Sequence, residues 1–217
     1  MIEYNLAYTT KLFMLGNYAV GKTSFVNKYV NDKFREIYLP TIGFDYSSKT
    51  ITLPNKKNLK ICFHDSAGQE RYRSIAFNLI KSAEGAILMY DITNKKTFEA
   101  IPEWIKNVRE HKGEDFPIVL IGNKLDLKEK RVVKTEEGEE LAKKYGFFFF
   151  ETSSKTGDNV QECILELVLK IFEQKKKEGK IQEEKEIGKG EKSEKKVKKV
   201  IKLKKDKNPR KKWKCKC

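Results

Sequence analysis

The stretch Gly16-Asn17-Tyr18-Ala19-Val20-Gly21-Lys22-Thr23 decides the fold, because it places four residues between two glycines and ends in Lys-Thr. The apolar run 12–15 precedes it and a helix-compatible run, 24–30, follows it. A loop placed between a buried strand and a helix directs backbone N–H groups and the positive helix end toward a di- or triphosphate. Lys22 would add charge against the outer phosphates, and the Thr23 hydroxyl would ligate Mg²⁺. The stretch predicts a phosphate-binding loop, although an ordinary glycine turn stays open from this motif alone.

Charge is unevenly distributed along the 217-residue chain. The formal net charge is +15, and residues 174–217 hold 20 Lys+Arg against 7 Asp+Glu, whereas residues 1–173 hold 26 against 24. A nucleic-acid-binding domain would carry its basic surface on the folded part, so no nucleic-acid partner is expected. We predict a short N-terminal extension (1–9), one α/β domain (10–173) and a disordered basic tail (174–217).

Targeting signals and cysteine usage point to the cytosol. Residues 1–5 lack the basic start and the long apolar run of a secretory signal. No apolar run approaches the roughly 18 residues that a membrane span needs. The four cysteines lack the paired spacing of a disulfide framework or a zinc site, and Cys62 and Cys163 fall at predicted core positions.

Strand and helix patterns alternate through the domain. The predicted strands are 11–15, 44–53, 58–64, 85–90, 116–121 and 147–150, and the four phenylalanines of the last strand are assigned to the core. The predicted helices run from the loop to about Asp32, from about Glu99 with Pro102 in the first turn, from Thr135 to Tyr145, and from Val160 to about Phe172. These elements predict a P-loop NTPase fold: a six-stranded, mostly parallel sheet, with one antiparallel strand from a hairpin, flanked by helices.

Two further motifs stand where predicted strands end. Asp65-Ser66-Ala67-Gly68 follows the hairpin, which would place the Asp65 carboxylate on Mg²⁺ and the Gly68 N–H near a γ-phosphate. Asn123-Lys124-Leu125-Asp126 follows the fifth strand. The Asp126 carboxylate can accept two hydrogen bonds from guanine, a donor pair that adenine lacks. The motif predicts guanine specificity, with a plain polar loop as the alternative.

Two more segments would complete the site. Residues 34–43 are too polar for a strand and too apolar for a linker, which favours a switch loop beside the phosphates. Ser153, Ser154 and Lys155 follow the last strand and would offer backbone N–H groups to the guanine O6.

With these motifs in this order, residues 10–173 resemble the Ras superfamily of small GTPases. Further runs are similar to its Rab branch: Ile42–Tyr46, Ala67–Ile75, Asp91–Phe98 and the terminal Cys215-Lys216-Cys217. The resemblance implies a switch that binds GTP or GDP with Mg²⁺, hydrolyses GTP slowly and regulates vesicle trafficking. It implies a monomer that cycles between the cytosol and the cytoplasmic face of an intracellular membrane. The implied partners are an exchange factor, a GTPase-activating protein, a dissociation inhibitor, an escort protein and effectors.

The resemblance also implies roles for single residues. Gln69 would orient the attacking water, and Thr41 would join Thr23 and Asp65 in holding Mg²⁺. The implied nucleotide-binding residues outside the motifs above are Ser24, Phe34, Tyr38 and Thr41, with Phe34 stacked on the guanine. Loss of the γ-phosphate would release Thr41 and Gly68, so that residues 36–46 and 65–80 relax.

Several positions depart from the family pattern. Tyr18 and Ala19 stand where Rab proteins usually have a small residue and a glycine. A ring at residue 18 would obstruct an arginine finger or disturb the water held by Gln69, which predicts slow turnover, unless the ring turns to solvent without kinetic effect. His64 replaces the usual tryptophan, and residues 79–82 replace a Tyr-Tyr-Arg-Gly run. These changes affect the surface that partners would read.

The tail resembles the membrane anchor of Rab proteins. Its C-x-C ending implies geranylgeranylation of Cys215 and Cys217, and residues 195–216 hold 13 basic residues and one acid, Asp206. Lipid chains with a basic segment anchor a protein stably to an anionic membrane. The alternatives are a solubilising, nuclear-import or RNA-binding tail. Two other functions stay open: a nucleotide-dependent binding module with negligible hydrolysis, and a basic-tailed carrier or RNA-associated GTPase.

Overall fold

A single sheet organises the computed structural model, which describes residues 6–34, 44–52, 58–66 and 80–179. Six strands lie in the order β2-β3-β1-β4-β5-β6. Their bounds are β1 Leu6–Leu15, β2 Phe44–Thr52, β3 Asn58–Ser66, β4 Gly85–Asp91, β5 Ile118–Asn123 and β6 Phe148–Thr152. Only the β2–β3 pair is antiparallel among these strands. The predicted six-stranded, mostly parallel sheet is therefore confirmed.

Helices connect the parallel strands. They are α1 Lys22–Asn31, α2 Lys95–Glu99, α3 Ile101–Lys112, α4 Thr135–Tyr145 and α5 Val160–Lys177, with 3₁₀ turns at Leu125–Lys130. Pro102 lies in the first turn of α3, as predicted, since a proline there removes no intrahelical hydrogen bond. The short helix α2 was not predicted. It begins after Asn94, whose side chain accepts a hydrogen bond from the Lys96 N–H at 3.2 Å.

The core lies on both faces of the sheet, as the alternation of side chains along β1 shows. Leu12 and Met14 belong to the cluster packed against α1 and α5, whereas Phe13 and Leu15 belong to the cluster packed against α3 and α4. Cys62 and Cys163 are both buried free thiols, as predicted. The sheet is thus the middle layer of three, and the carboxyl ends of its five parallel strands lie at one edge.

Several predicted strands are shorter than the observed ones at their carboxyl ends. β3 includes Asp65 and β5 includes Asn123, because their ladders continue through these polar residues to Met14 and Asp91 on the neighbouring strands. The first residues of both predicted motifs are therefore fixed by strand pairing.

The prediction that all four phenylalanines of residues 147–150 belong to the core is wrong. Phe148 is 39% exposed, whereas Phe147, Phe149 and Phe150 are half-buried and pack against the core clusters. The cause is the place of β6 at the end of the sheet order, where no other strand of the described ranges pairs with its outer side.

The predicted start of the disordered tail is also wrong for its first residues. Helix α5 continues to Lys177 and thus includes Gln174. The Gln174 side chain donates to the Asp115 carbonyl at 3.0 Å, and the Lys175 ammonium lies 2.6 Å from Oε1 of Glu84. These contacts hold the last helical turn on the domain. Across the described ranges, no helix has the length and apolar character needed to cross a membrane.

Candidate nucleotide-binding site

The loop between β1 and α1 depends on its two glycines. Gly16 has φ 132°, and a Cβ there would lie 2.2 Å from the Met89 carbonyl oxygen. Gly21 has φ 99°, and a Cβ there would lie 2.4 Å from Nδ2 of Asn123. Any side chain at either position would therefore clash as well as strain the backbone. The loop is pressed against β4 at one end and against Asn123 at the other.

Lys22 begins α1 and folds its side chain back into the loop. Its ammonium donates to the carbonyl oxygens of Gly16 and Asn17, both at 2.9 Å. Burial lowers the pKa of Lys22 to about 8, although the nearby Asp65 carboxylate raises it. The loop thus holds a desolvated cation that a phosphate can pair with.

Thr23 and Asp65 form an oxygen pair beside that cation. The Thr23 hydroxyl donates to Oδ2 of Asp65, which is buried at the end of β3. The other carboxylate oxygen, Oδ1, is buried and has no hydrogen-bond partner within the described residues. Burial raises the pKa of Asp65, while Thr23 and Lys22 oppose that rise. A carboxylate oxygen without a partner beside a hydroxyl fits Mg²⁺, which prefers hard oxygen ligands.

Asn123 connects the loop to the segment after β6. Its Nδ2 donates to the Val20 carbonyl at 2.9 Å. Its Oδ1 accepts from the Thr152 hydroxyl at 3.1 Å and from the Ser154 hydroxyl at 3.1 Å. All these groups are buried. One amide therefore sets the distance between the phosphate-binding loop and the predicted base-binding loops.

The base-binding loops are fixed by their own polar contacts. Asp126 Oδ1 accepts from the Ser153 hydroxyl at 2.6 Å, and that hydroxyl oxygen accepts from the backbone N–H of Lys155 at 3.2 Å. Lys124 has φ 71°, and its ammonium lies 2.7 Å from Oδ2 of Asp91. The carboxylate of Asp126 is thereby held beside residues 153–155.

The structure brings most of the predicted site residues to one edge of the sheet. These are residues 16–24, Asp65, Asn123, Lys124, Asp126 and Ser153–Lys155. Phe34 is described and is 37% exposed. Tyr38, Thr41, Gly68, Gln69, Cys215 and Cys217 lie outside the described residues, so their roles stay predictions.

Tyr18 and His64 are two of the residues that depart from the family pattern, and the structure describes both. The Tyr18 side chain is 45% exposed in the loop. The half-buried His64 ring stacks on Phe13, with centroids 6.2 Å apart, and meets Tyr46 edge-on at 5.5 Å. Burial lowers the pKa of His64. The histidine therefore takes part in an aromatic cluster on the β2–β3 side of the sheet.

Sequence reasoning missed three residues that hold the site together. Asp91 pairs with Lys124, Thr152 bonds Asn123, and the indole N–H of Trp104 donates to Oδ1 of Asn17 at 2.8 Å. Asp91 and Thr152 carried a usable signal, because each is a polar residue at the end of a buried strand. Trp104 carried none, because it occupies an ordinary core position of a helix.

Fold and site together define a P-loop nucleotide-binding protein, and comparison with known proteins narrows the class. A family model described as the Ras family matches residues 11–173. Ras-related protein Rab-3C of Bos taurus is 41% identical over 166 residues, covering 76% of this chain and 73% of the relative. Human Rab-3B is 41% identical with 76% and 75% covered, and human Rab-3A is 41% identical over 171 residues with 79% and 77% covered. The chain belongs to the Ras family of small GTPases, as a Rab-type member. It binds GTP and GDP with Mg²⁺ and hydrolyses GTP to GDP and phosphate.

Proposed function

We propose that this GTPase is a Rab-type molecular switch that regulates vesicle trafficking from the cytoplasmic face of an intracellular membrane. The observation that carries the proposal is the Asn123 network, which joins the phosphate-binding loop to the loops proposed to bind the base. A nucleotide bridging these two parts would contact every predicted motif at once. The Rab-3 relatives, at 41% identity, support the trafficking role.

At the phosphate end, the loop and its lysine would do the electrostatic work. The backbone N–H groups of residues 17–22 and the start of α1 would face the phosphate oxygens, with Lys22 between the outer phosphates. Thr23 and Asp65, with Thr41, would hold Mg²⁺, which when bound neutralises charge on the phosphate oxygens. Gln69 would orient the water that attacks the γ-phosphorus.

At the base end, a matched set of polar groups would read guanine. The Asp126 carboxylate would accept hydrogen bonds from the ring N–H and the exocyclic amine. Backbone N–H groups of residues 153–155 would donate to the guanine O6, and Phe34 would stack on the ring. The Ser153 hydroxyl donates to Asp126 at 2.6 Å, and this bond would hold the carboxylate in position for the base.

Hydrolysis would change which surface the protein presents. Loss of the γ-phosphate would release Thr41 and Gly68, and residues 36–46 and 65–80 would relax. An effector would then lose its binding surface. Exchange factors, activating proteins, a dissociation inhibitor and an escort protein are proposed as regulators of this cycle.

The tail is proposed as the membrane anchor. Geranylgeranyl groups on Cys215 and Cys217 would add to the attraction of the basic residues 195–216 for an anionic leaflet. A tagged full-length chain should lie on intracellular membranes, and the Cys215→Ser/Cys217→Ser chain should be cytosolic. Membrane association of the double mutant would refute the lipid anchor.

The nucleotide part of the proposal is tested by base selectivity. Asp126→Asn should weaken binding of GTP by at least tenfold, because an amide replaces one acceptor with a donor facing the donors of guanine. Asp158→Asn is the matched control, because Asp158 is exposed and its carboxylate bonds Thr156 instead. Titration of the purified variants with GTP and ATP measures both effects. Equal GTP affinity of Asp126→Asn and wild type, or a wild-type preference for ATP, would refute the assignment.

A further inference from the structure

Trp104 lies in α3, outside every nucleotide motif, yet its indole reaches the phosphate-binding loop. The Nε1–H group donates to Oδ1 of Asn17 at 2.8 Å, a contact between residues 87 positions apart in the chain. The indole itself is 3% exposed and packs in the core cluster with Ile101, Ile105 and Val108. The hydrogen-bond donor is therefore held rigidly by the core of the domain.

Asn17 is bonded on its backbone side as well. Its carbonyl oxygen is one of the two that accept from the Lys22 ammonium, at 2.9 Å. The Trp104 bond thus fixes the residue whose carbonyl receives the loop lysine. A shift of Asn17 would move that carbonyl oxygen and, with it, the Lys22 ammonium that would pair with the phosphates.

The Trp104 contact joins two other contacts in holding the phosphate-binding loop against the rest of the domain. Gly16 is fixed by its close approach to Met89, and the Val20 carbonyl is fixed by Asn123. Between them, Tyr18 and Ala19 are exposed, and Ala19 has φ 58°, in the left-handed region that disfavours a side chain. A strained, exposed loop centre needs both flanks held if it is to keep one conformation.

We infer that Trp104 is a positioning residue of the nucleotide site: by donating to Asn17 it holds the phosphate-binding loop in its binding conformation and slows nucleotide release. The inference rests on the proposed role of this loop in binding the phosphates. It needs no contact between Trp104 and the nucleotide, because the indole acts through Asn17.

The test is the rate at which the full-length protein releases a fluorescent GDP, N-methylanthraniloyl-GDP, into excess unlabelled GDP. Trp104→Phe keeps an aromatic ring in the core but removes the N–H donor. Loss of one hydrogen bond of ordinary strength corresponds to about a fivefold faster release. The matched control is Ile105→Val, which loosens the same core beside Trp104 without touching the loop. Release from Trp104→Phe no faster than from Ile105→Val would overturn the inference.

A double-mutant cycle with Asn17→Ala separates the hydrogen bond from core packing. Asn17→Ala should also speed release about fivefold, and the double variant should release no faster than either single one, because both remove one shared interaction. Effects that multiply to about 25-fold would show that Trp104 acts by packing alone and would overturn the inference. If Trp104→Phe does not fold, Asn17→Ala decides alone, and release at the wild-type rate overturns it. A wild-type protein that binds no guanine nucleotide would instead refute the proposed function.

Discussion

Replacing Asn123 with alanine should break the junction between the two halves of the nucleotide site. The variant loses four hydrogen bonds to three partner residues. Nδ2 donates to the Val20 carbonyl at 2.9 Å, and Oδ1 accepts from the Thr152 and Ser154 hydroxyls, each at 3.1 Å, and from the Ser154 N–H at 3.3 Å. Each such bond contributes about 1 kcal/mol net, and each abandoned partner stays buried. We expect Asn123→Ala to lower the free energy of unfolding by about 4 kcal/mol.

A graded variant makes that magnitude testable. Thr152→Val removes one of the three partners and keeps the shape of the side chain, so it should cost about 1 kcal/mol. Both variants are compared with wild type by urea unfolding at one saturating GDP concentration, since bound ligand adds to the measured stability. Release of GDP should accelerate in Asn123→Ala but change little in Thr152→Val, because only Asn123 holds the Val20 carbonyl. An Asn123→Ala variant no less stable than Thr152→Val would refute the reasoning.

Three other predictions follow from single side chains. Tyr18→Ser should raise the GTP hydrolysis rate measured with a cognate activating protein, because it removes the exposed ring from the loop; equal rates would show the ring has no kinetic effect. Tyr90→Phe should raise the free energy of unfolding by up to about 1 kcal/mol in urea, since the hydroxyl is buried without a hydrogen-bond partner within the described ranges. Burial raises the pKa of Cys163, so its thiol stays protonated when native; mass spectrometry should find it alkylated by iodoacetamide at pH 8.5 only after unfolding, and rapid alkylation of the native protein would contradict this.

The parts of the fold that sequence predicted well depend on neighbouring residues in the chain. The phosphate-binding loop could be placed because Leu12–Leu15 and the α1 run flank it directly. Pro102 and Gly146 marked a helix start and a helix end through their own backbone restrictions. Local steric rules of this kind need no knowledge of the tertiary structure.

Errors arose where the sheet decides the outcome. Phe148 is apolar, but its exposure depends on which strand lies beside β6, and the sequence does not give strand order. Asn123 is polar, which suggested that the strand had ended at Ile121. Its pairing opposite Thr152 and Asp91 extends the ladder through it. Tertiary pairing therefore overrides the local polarity signal at both positions.

The contacts that hold the site together were equally hidden from the sequence. Motif spacing predicted that Asn123 lies near the base, but not that its amide bonds the Val20 carbonyl, 103 positions away. The Trp104–Asn17 bond joins a helix core position to a loop, and tryptophan in a helix is ordinarily explained by packing. Motifs identify the groups that touch a ligand, whereas the residues that orient those groups emerge only from the packed structure.

Supporting contacts of this kind matter for a nucleotide switch because they fix the phosphate-binding loop through the fold of the domain. Gly16, Asn17, Val20 and Lys22 already take part in fixed contacts with β4, α3, β5 and the loop itself. The conformational entropy of ordering these residues is therefore lost on folding, so binding of the phosphates does not lose it again. Tight binding then requires little rearrangement of the loop. The free energy gained by binding the γ-phosphate remains available for ordering the segments proposed to switch. If the loop were held less firmly, part of the binding free energy that distinguishes GTP from GDP would be needed to order the loop.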